Sequence, residues 1–194
     1  MNWSDALAAV FPVIEALQRL GIRYYVAGSL ASSAYGVARM TLDVDLIADL
    51  APQHVAALVA ALQGDYYVDA GMIARAIAQR SCFNVIHLAT MFKVDVFMVK
   101  DREYDGVALE RVRPDALWPE DPRIVVAVAS PEDVVLNQLE WFRLGDEVSE
   151  RQWRDVLGVL KVQKGALDQA YLAHWAERLG VAELLERAWR EAET

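Results

Sequence analysis

The sequence has little of what disulfide-bonded, zinc-binding or membrane-spanning proteins need. Its single cysteine, Cys82, excludes an internal disulfide and suits a reducing compartment. The three histidines, at positions 54, 87 and 174, lack the spacing of zinc ligands. No apolar run approaches the ~20 residues of a membrane helix, and the first five residues do not form a basic leader. We therefore expect a cytoplasmic protein that does not associate with a membrane, with Cys82 in its core.

Positive charge is also scarce. The chain has 19 Lys and Arg against 28 Asp and Glu, a formal net charge of −9. Proteins that bind duplex DNA through its phosphates normally present a basic face. We therefore expect no strong binding of duplex DNA, whereas a tRNA end or a small acceptor molecule stays open as a partner.

The composition is that of a compact globular protein. At 194 residues and 55% hydrophobic residues, the chain can bury a full core as one domain with a helical extension. Strand-like and helical patterns alternate up to about residue 129, and helical patterns alone follow. This order predicts an α/β (α+β) core over residues 1–129 and a helical C-terminal region over residues 130–194 that packs on the core. Residues 101–122 are polar and give no clear assignment.

Three aspartates interrupt apolar segments that otherwise indicate buried strands. Asp43 and Asp45 lie in Asp43-Val44-Asp45-Leu46, and Asp95 lies in a later apolar run. An unpaired carboxylate is costly to bury, so a cation should compensate it. A divalent metal held by several carboxylates is the natural candidate.

The alternation of side chains along a strand makes this hypothesis specific. Asp43 and Asp45 project to one face of their strand, and Asp95 shares a face with Lys93 and Phe97. If the two strands are neighbours, the three carboxylates converge. Mg²⁺ prefers a few carboxylates together with substrate phosphate oxygens.

A second motif is typical of phosphate binding. The apolar strand over residues 23–27 leads into Gly28-Ser29, which opens a short helix of small residues. A glycine lets the backbone approach a ligand closely, and a helix N-terminus favours an anion.

These residues together resemble the DNA polymerase β nucleotidyltransferase superfamily. The shared pattern is an apolar strand, Gly28-Ser29, a spacer, Asp43-x-Asp45 and a third aspartate, Asp95, on a later strand. Within the superfamily the chain resembles minimal bacterial nucleotidyltransferases related to the AbiEii toxin. That closer resemblance rests on three segments: Arg39-x-Thr41-x-Asp43, Ser130-Pro131-Glu132-Asp133 and Arg151-Gln152-Trp153-Arg154-Asp155.

The resemblance implies a fold, an activity and a set of roles. The fold is a mixed β-sheet flanked by helices, and the activity is Mg²⁺-dependent transfer of NMP from an NTP to an acceptor hydroxyl at a two-ion site. Asp43, Asp45 and Asp95 would be the catalytic residues and metal ligands. The nucleotide would be bound by the remaining residues of the motifs: Gly28, Ser29, Arg39, Thr41, Arg151 and Arg154. A toxin role would add an antitoxin partner.

The sequence leaves several alternatives open. Relatives of the toxin type carry a lysine where this chain has Asn137-Gln138, so Arg143, Arg151 or Arg154 could supply the missing charge, or the site could bind nucleotide without catalysis. The acceptor could be a tRNA, a protein or a small molecule of the aminoglycoside type. Arg39 could also be an ordinary surface arginine, and Arg154 with Asp155 an exposed ion pair.

Overall fold

The structure is a computed structural model that describes residues 3–38, 43–118 and 121–193. The elements in chain order are α1 (Trp3–Arg19), β1 (Tyr24–Ala27), α2 (Gly28–Tyr35), β2 (Asp43–Ala48), a 3₁₀ turn (Pro52–His54), α3 (Val55–Leu62), β3 (Tyr66–Tyr67), α4 (Ala70–Gln79), β4 (Cys82–His87), β5 (Lys93–Met98), α5 (Glu103–Glu110), β6 (Arg113–Asp115), β7 (Val126–Val128), α6 (Pro131–Leu144), α7 (Glu150–Val162), α8 (Gln169–Arg178) and α9 (Ala182–Ala192). Of the helices in these ranges, none combines the length and the apolar character that crossing a bilayer requires.

The chain divides into two compact units. The first comprises Met1–Val26 and Met40–Val128, and the second comprises Ala27–Arg39 and Ala129–Thr194. The short helix α2 therefore belongs to the same unit as the C-terminal helices. That the C-terminal region packs on the α/β core stays a prediction.

The first unit is built on a mixed sheet. The described strands follow the order β3-β4-β5-β2-β1-β7-β6. The pairs β2–β5 and β1–β7 are parallel, whereas β3–β4, β4–β5 and β6–β7 are antiparallel. Helices α1, α3 and α4 contact one another or the strands of this unit. The predicted α/β fold with a mixed sheet and a helical C-terminal part is confirmed.

Helix α1 supplies much of the core of this unit. Val10, Ile14 and Leu17 lie one turn apart on one face of the helix, and all three are fully buried. The helix ends at Arg19, and the positive φ of 67° at Gly21 lets the amide of Ile22 donate back to the Leu17 carbonyl at 2.9 Å. A hydroxyl from β3 also fixes the helix, since Tyr66 donates to the Ala9 carbonyl at 2.7 Å.

Two features of the first unit differ from the sequence predictions. The unassigned region contains helix α5 and the short strand β6. Pro114 lies in β6, and a proline in a strand is tolerated there because β6 is at the edge of the sheet. Cys82 was expected in the core and is exposed, because it is the first residue of β4, where the buried face begins at Phe83.

The second unit is an array of helices around α6. This helix begins with the predicted cap, since Ser130 accepts from the Asp133 amide and Pro131 occupies the first turn. Asp133 is buried and accepts hydrogen bonds from Ser130 Oγ at 2.6 Å and from Tyr171 Oη at 2.7 Å. Trp153 and Trp175 are buried in this unit.

Candidate active site

The strand β2 presents Asp43 and Asp45 on one face. Both are half-buried, whereas Val44 and Leu46 between and after them are buried in the core. This is the alternation expected of a strand with one apolar and one polar face. The structure therefore brings the first two predicted metal ligands to the same side of the sheet.

The strand β5 brings Asp95 to the same region. β2 and β5 are parallel neighbours, with Asp45 paired in register to Asp95 and Asp43 paired to Lys93. Val94 and Val96 of β5 are buried, so Lys93 and Asp95 share the opposite face. We call Asp43, Asp45 and Asp95 the acidic face. On the other side of β5, Asn84 of β4 lies opposite Asp95.

A lysine lies within the acidic face. Lys93 Nζ is 2.6 Å from Asp95 Oδ2, with side-chain exposures of 42% and 17%. The hydrogen bond to Asp95, together with the charges of Asp95, Asp43 and Asp45, raises the pKa of the Lys93 ammonium. An ion pair with a partner this exposed contributes only about 0–1 kcal/mol. The pair is therefore weak enough for another cation to compete with it.

The donors on the acidic face suit magnesium by their chemistry. Carboxylate oxygens are the protein ligands that Mg²⁺ takes, and the strand register gathers three carboxylates on adjacent strands. Among residues 3–38, 43–118 and 121–193, however, no group of three or more His, Cys, Asp or Glu is placed to hold a metal ion. The roles of the three aspartates as ligands therefore stay a prediction.

The Gly28-Ser29 motif belongs to the second unit and begins α2. Gly28 has a φ of 59°, a conformation that costs another residue about 1–2 kcal/mol, so the sequence needs glycine there. The N-cap residue, Ala27, provides no side-chain hydrogen bond to the first turn. Ser32 Oγ donates to the Gly28 carbonyl at 2.9 Å and fixes this turn. The amides of the first turn are thus not capped by the side chain that usually satisfies them.

A cavity of about 420 Å³ lies in the same unit. Its lining includes Ser32, Val37, Arg151, Arg154 and Asp155. The two arginines come from the first turns of α7, and α2 packs against α7. The structure therefore gathers two of the predicted nucleotide-binding residues, Arg151 and Arg154, around one cavity beside α2.

Helices α2 and α7 approach each other closely because of two glycines. A Cβ atom at Gly36 would lie 2.8 Å from Val159 N, and one at Gly158 would lie 3.3 Å from Val37 N. Real Cβ atoms do not come as close to backbone as the first of these distances, so Gly36 permits this packing.

The structure describes only some of the other residues that were predicted to bind the nucleotide. Arg39 and Thr41 lie outside the described residues, so their roles stay predictions. Arg143, one candidate for the missing lysine, donates to the Gly180 carbonyl at 2.6 Å and pairs with Glu147 at 3.3 Å. Arg143 is therefore engaged within the helical region. Arg154 is engaged as well, since it donates to the Glu150 carbonyl at 3.3 Å and pairs with the Glu150 carboxylate at 3.6 Å.

The structure gives residues named in the sequence contacts that the sequence did not predict. Asp155 is buried and accepts a hydrogen bond from Ser29 Oγ at 3.3 Å, so it is not half of an exposed pair with Arg154. Gln138 is 2% exposed and donates from Nε2 to Ser32 Oγ at 3.1 Å. Both contacts join residues more than 100 positions apart. Lys93 lies on the strand face of Asp95, as the alternation of side chains predicted.

Two solved structures are similar to this chain over most of their length. The antibiotic-resistance factor ANT(2'')-Ia matches with a TM-score of 0.53 and 14% sequence identity, over 92% of this chain and 95% of that one. An antigenic nucleotidyltransferase-like protein from Paracoccidioides brasiliensis matches with a TM-score of 0.52 and 16% identity, over 93% and 91%. The chain therefore has the nucleotidyltransferase fold.

Comparison by sequence gives no closer relative. No protein-family model matches the chain, and no curated protein sequence matches it. At identities of 14% and 16% the similarity shows the fold alone. The function must therefore be argued from the site.

Proposed function

We propose that the protein is a magnesium-dependent nucleotidyltransferase that transfers NMP from an NTP to an acceptor hydroxyl. The observation that carries this proposal is the register of Asp45 with Asp95 on neighbouring parallel strands, with Asp43 two residues before Asp45. Carboxylates gathered in this way are costly without a cation and suit a divalent ion. The fold shared with ANT(2'')-Ia supports the same class of enzyme.

The second unit supplies the residues proposed to bind the phosphates. The first turn of α2, from Gly28 and Ser29, offers backbone amides and the positive end of a helix dipole. Arg151 and Arg154 add two guanidinium groups at the cavity, and guanidinium groups bind phosphate oxygens in a bidentate manner. Arg39 and Thr41 are proposed, on their sequence positions, to extend this set.

The chemistry proposed for the acidic face is an in-line displacement. The acceptor oxygen forms a bond to the α-phosphorus, the bond from that phosphorus to the bridging oxygen breaks, and pyrophosphate leaves with its electron pair. The Asp95 carboxylate takes the acceptor proton. Bound Mg²⁺, held by Asp43 and Asp45 with Asp95, would neutralise charge on the phosphates and acidify the hydroxyl. Positioning and charge neutralisation account for most of the rate.

The charge of the chain favours a small acceptor over a nucleic acid. The net charge is −9, and the acidic face carries three carboxylates, one of which pairs with Lys93. A polyanion such as tRNA is repelled by such a surface, whereas a cationic small molecule is attracted. We therefore propose a cationic small molecule as the first acceptor class to test, with tRNA and protein as the other classes.

The resemblance to the AbiEii toxin supports a second candidate function. A toxin that modifies a cellular acceptor should stop growth when it is expressed without its antitoxin. If the acidic face performs the chemistry, growth arrest should disappear in a variant with Asp43→Asn and Asp45→Asn. Growth that is unaffected by the wild-type protein would exclude this role and leave the small-molecule role in place.

The direct test of the proposed activity is label transfer. Purified protein is incubated with each α-labelled NTP and Mg²⁺ in the presence of aminoglycosides, total tRNA or cell protein. We expect label on one acceptor class, and we expect a chelator or the double change Asp43→Asn with Asp45→Asn to abolish it. The double variant should keep the wild-type melting temperature, because removing two like charges does not disturb the core. Label transfer that survives the double change would show that the assigned roles are wrong.

Calorimetry, read together with the label-transfer assay, distinguishes a site that only binds nucleotide from one that also transfers it. A silent site would bind an NTP with Mg²⁺ and give no transfer to any acceptor. If the protein binds none of the NTPs, both proposals are contradicted: the enzyme and the silent binding module.

A further inference from the structure

We propose that Lys93 is the resident counter-cation of the acidic face, and that it holds Asp95 in an ion pair until a divalent cation displaces it. This inference rests on the proposed function, because it concerns how the same site takes up its metal. Lys93 acts on the site through Asp95 and is therefore a positioning residue.

The geometry of β5 places this lysine among the carboxylates. Lys93 and Asp95 are two residues apart on one strand, so their side chains leave the same face. Lys93 is also in register with Asp43 on the neighbouring strand β2. Its ammonium lies 2.6 Å from Asp95 Oδ2, which is a direct charge-assisted hydrogen bond.

The ion pair brings a cation of the chain itself onto the acidic face. The carboxylates of Asp43, Asp45 and Asp95 repel one another, and the positive charge of Lys93 reduces that repulsion. Because its carboxylate is bound to Lys93, Asp95 would join as a metal ligand only after Lys93 releases it.

The exposure of the two partners permits this exchange without unfolding. The side chain of Lys93 is 42% exposed, so the ammonium can move into solvent on its flexible stem. Asp95 is 17% exposed and is held by the strand, so it stays on the acidic face when the lysine leaves.

The test measures Mn²⁺ binding to the full chain without nucleotide, by electron paramagnetic resonance at constant ionic strength. The variant is Lys93→Met, which keeps the length of the side chain and removes its charge. We expect Lys93→Met to bind Mn²⁺ on the order of tenfold more tightly, because the metal no longer competes with an ammonium. Without divalent ions the variant should melt at a lower temperature than wild type, and saturating Mg²⁺ should remove that difference.

Two controls separate charge from packing. Lys93→Arg keeps the positive charge and should bind Mn²⁺ within about twofold of wild type, since a guanidinium also pairs with a carboxylate. Lys164→Gln removes the charge of an exposed lysine in the second unit and should leave both Mn²⁺ affinity and melting temperature unchanged. A purely structural role for the Lys93 stem would lower the melting temperature equally with and without Mg²⁺.

The outcomes distinguish this inference from the proposed function. Equal Mn²⁺ affinity in wild type and Lys93→Met, with binding lost in the double change Asp43→Asn and Asp45→Asn, would overturn the role of Lys93 and leave the metal site intact. No Mn²⁺ binding by wild type, or binding that the double change leaves in place, would overturn the proposed metal site and the role of Lys93 with it. Tighter binding in Lys93→Met that the double change abolishes supports both.

Discussion

At the scale of the residue, the site consists of charged groups whose neighbours set what each can do. Lys93 pairs with Asp95 on the acidic face, and Asp155 accepts from Ser29 beside the cavity of the second unit. Asp43, Asp45 and Asp95 could be singled out from the sequence because each interrupts an apolar strand. The contacts of Asp155 and Gln138 could not be predicted, since each joins a residue more than 100 positions away.

Nucleotide affinity should depend on the arginines of the cavity. Arg151→Gln keeps a polar side chain and removes the charge that we assign to phosphate binding. We expect affinity for an NTP with Mg²⁺ to fall by about tenfold, because a charge-assisted hydrogen bond contributes about 1.5–3 kcal/mol. Stability should change by less than about 0.5 kcal/mol, since Arg151 is exposed. Isothermal titration calorimetry measures the affinity.

Arg190→Gln is the matched control for this prediction. Arg190 is also an exposed arginine at the surface of the second unit, in the last turn of α9, and it is not among the described residues that line the cavity. The variant Arg190→Gln should have the same NTP affinity as the wild-type protein. Equal losses in the two variants would mean that the arginines act through overall charge, and that the cavity is not the phosphate site.

At the scale of the element, the patterns that predicted best were those with one clear period and a distinct start or stop. β2 and α6 are examples, because Asp43 and Asp45 of β2 alternate with the buried Val44 and Leu46, and α6 begins with a serine cap and a proline. α5 and β6 were missed for local reasons. The apolar residues of α5 span only about one turn, from Tyr104 to Leu109, and β6 contains Pro114, which argues against a strand away from a sheet edge.

The sequence also did not reveal that α2 belongs with the C-terminal helices. Its residues follow β1 directly, and their small side chains give little sign of which surface they contact. The contact depends on backbone approach at Gly36 and Gly158, which no hydrophobic period encodes. The cavity with Arg151 and Arg154 therefore appears only once the helices are packed.

The packing of α2 on α7 should be sensitive to one methyl group. Gly36→Ala would place a Cβ 2.8 Å from Val159 N and 2.9 Å from the carbonyl carbon of Gly158. Both neighbours are backbone atoms that cannot move aside, so we expect a loss of about 1–3 kcal/mol in the free energy of unfolding. Chemical denaturation measures the change, and NTP affinity should fall as well because the cavity is displaced.

Gly106→Ala provides the opposite control. Gly106 lies inside α5, and a Cβ there would meet nothing within 4 Å. Alanine stabilises a helix interior by roughly 0.5–1 kcal/mol relative to glycine, so this variant should be as stable as wild type or more so. Equal stability of Gly36→Ala and wild type would show that α2 and α7 are not in backbone contact.

At the scale of the whole molecule, fold and charge limit the function without deciding it. The chain shares the nucleotidyltransferase fold with structures at 14% and 16% identity, and fold does not fix the acceptor. The net charge of −9 makes weak binding to RNA the expectation, and binding that is present should fall steeply with added salt. The proposed activity therefore depends on the acidic face, and the metal content of that face is the property to measure.

The most direct measurement is anomalous scattering from crystals grown with Mn²⁺ and a non-hydrolysable NTP analogue. We predict a manganese peak at about 2 Å from carboxylate oxygens of Asp43 and Asp45, bridging to phosphate oxygens of the analogue. Manganese bound elsewhere, with the analogue in place and both carboxylates free of metal, would contradict the account.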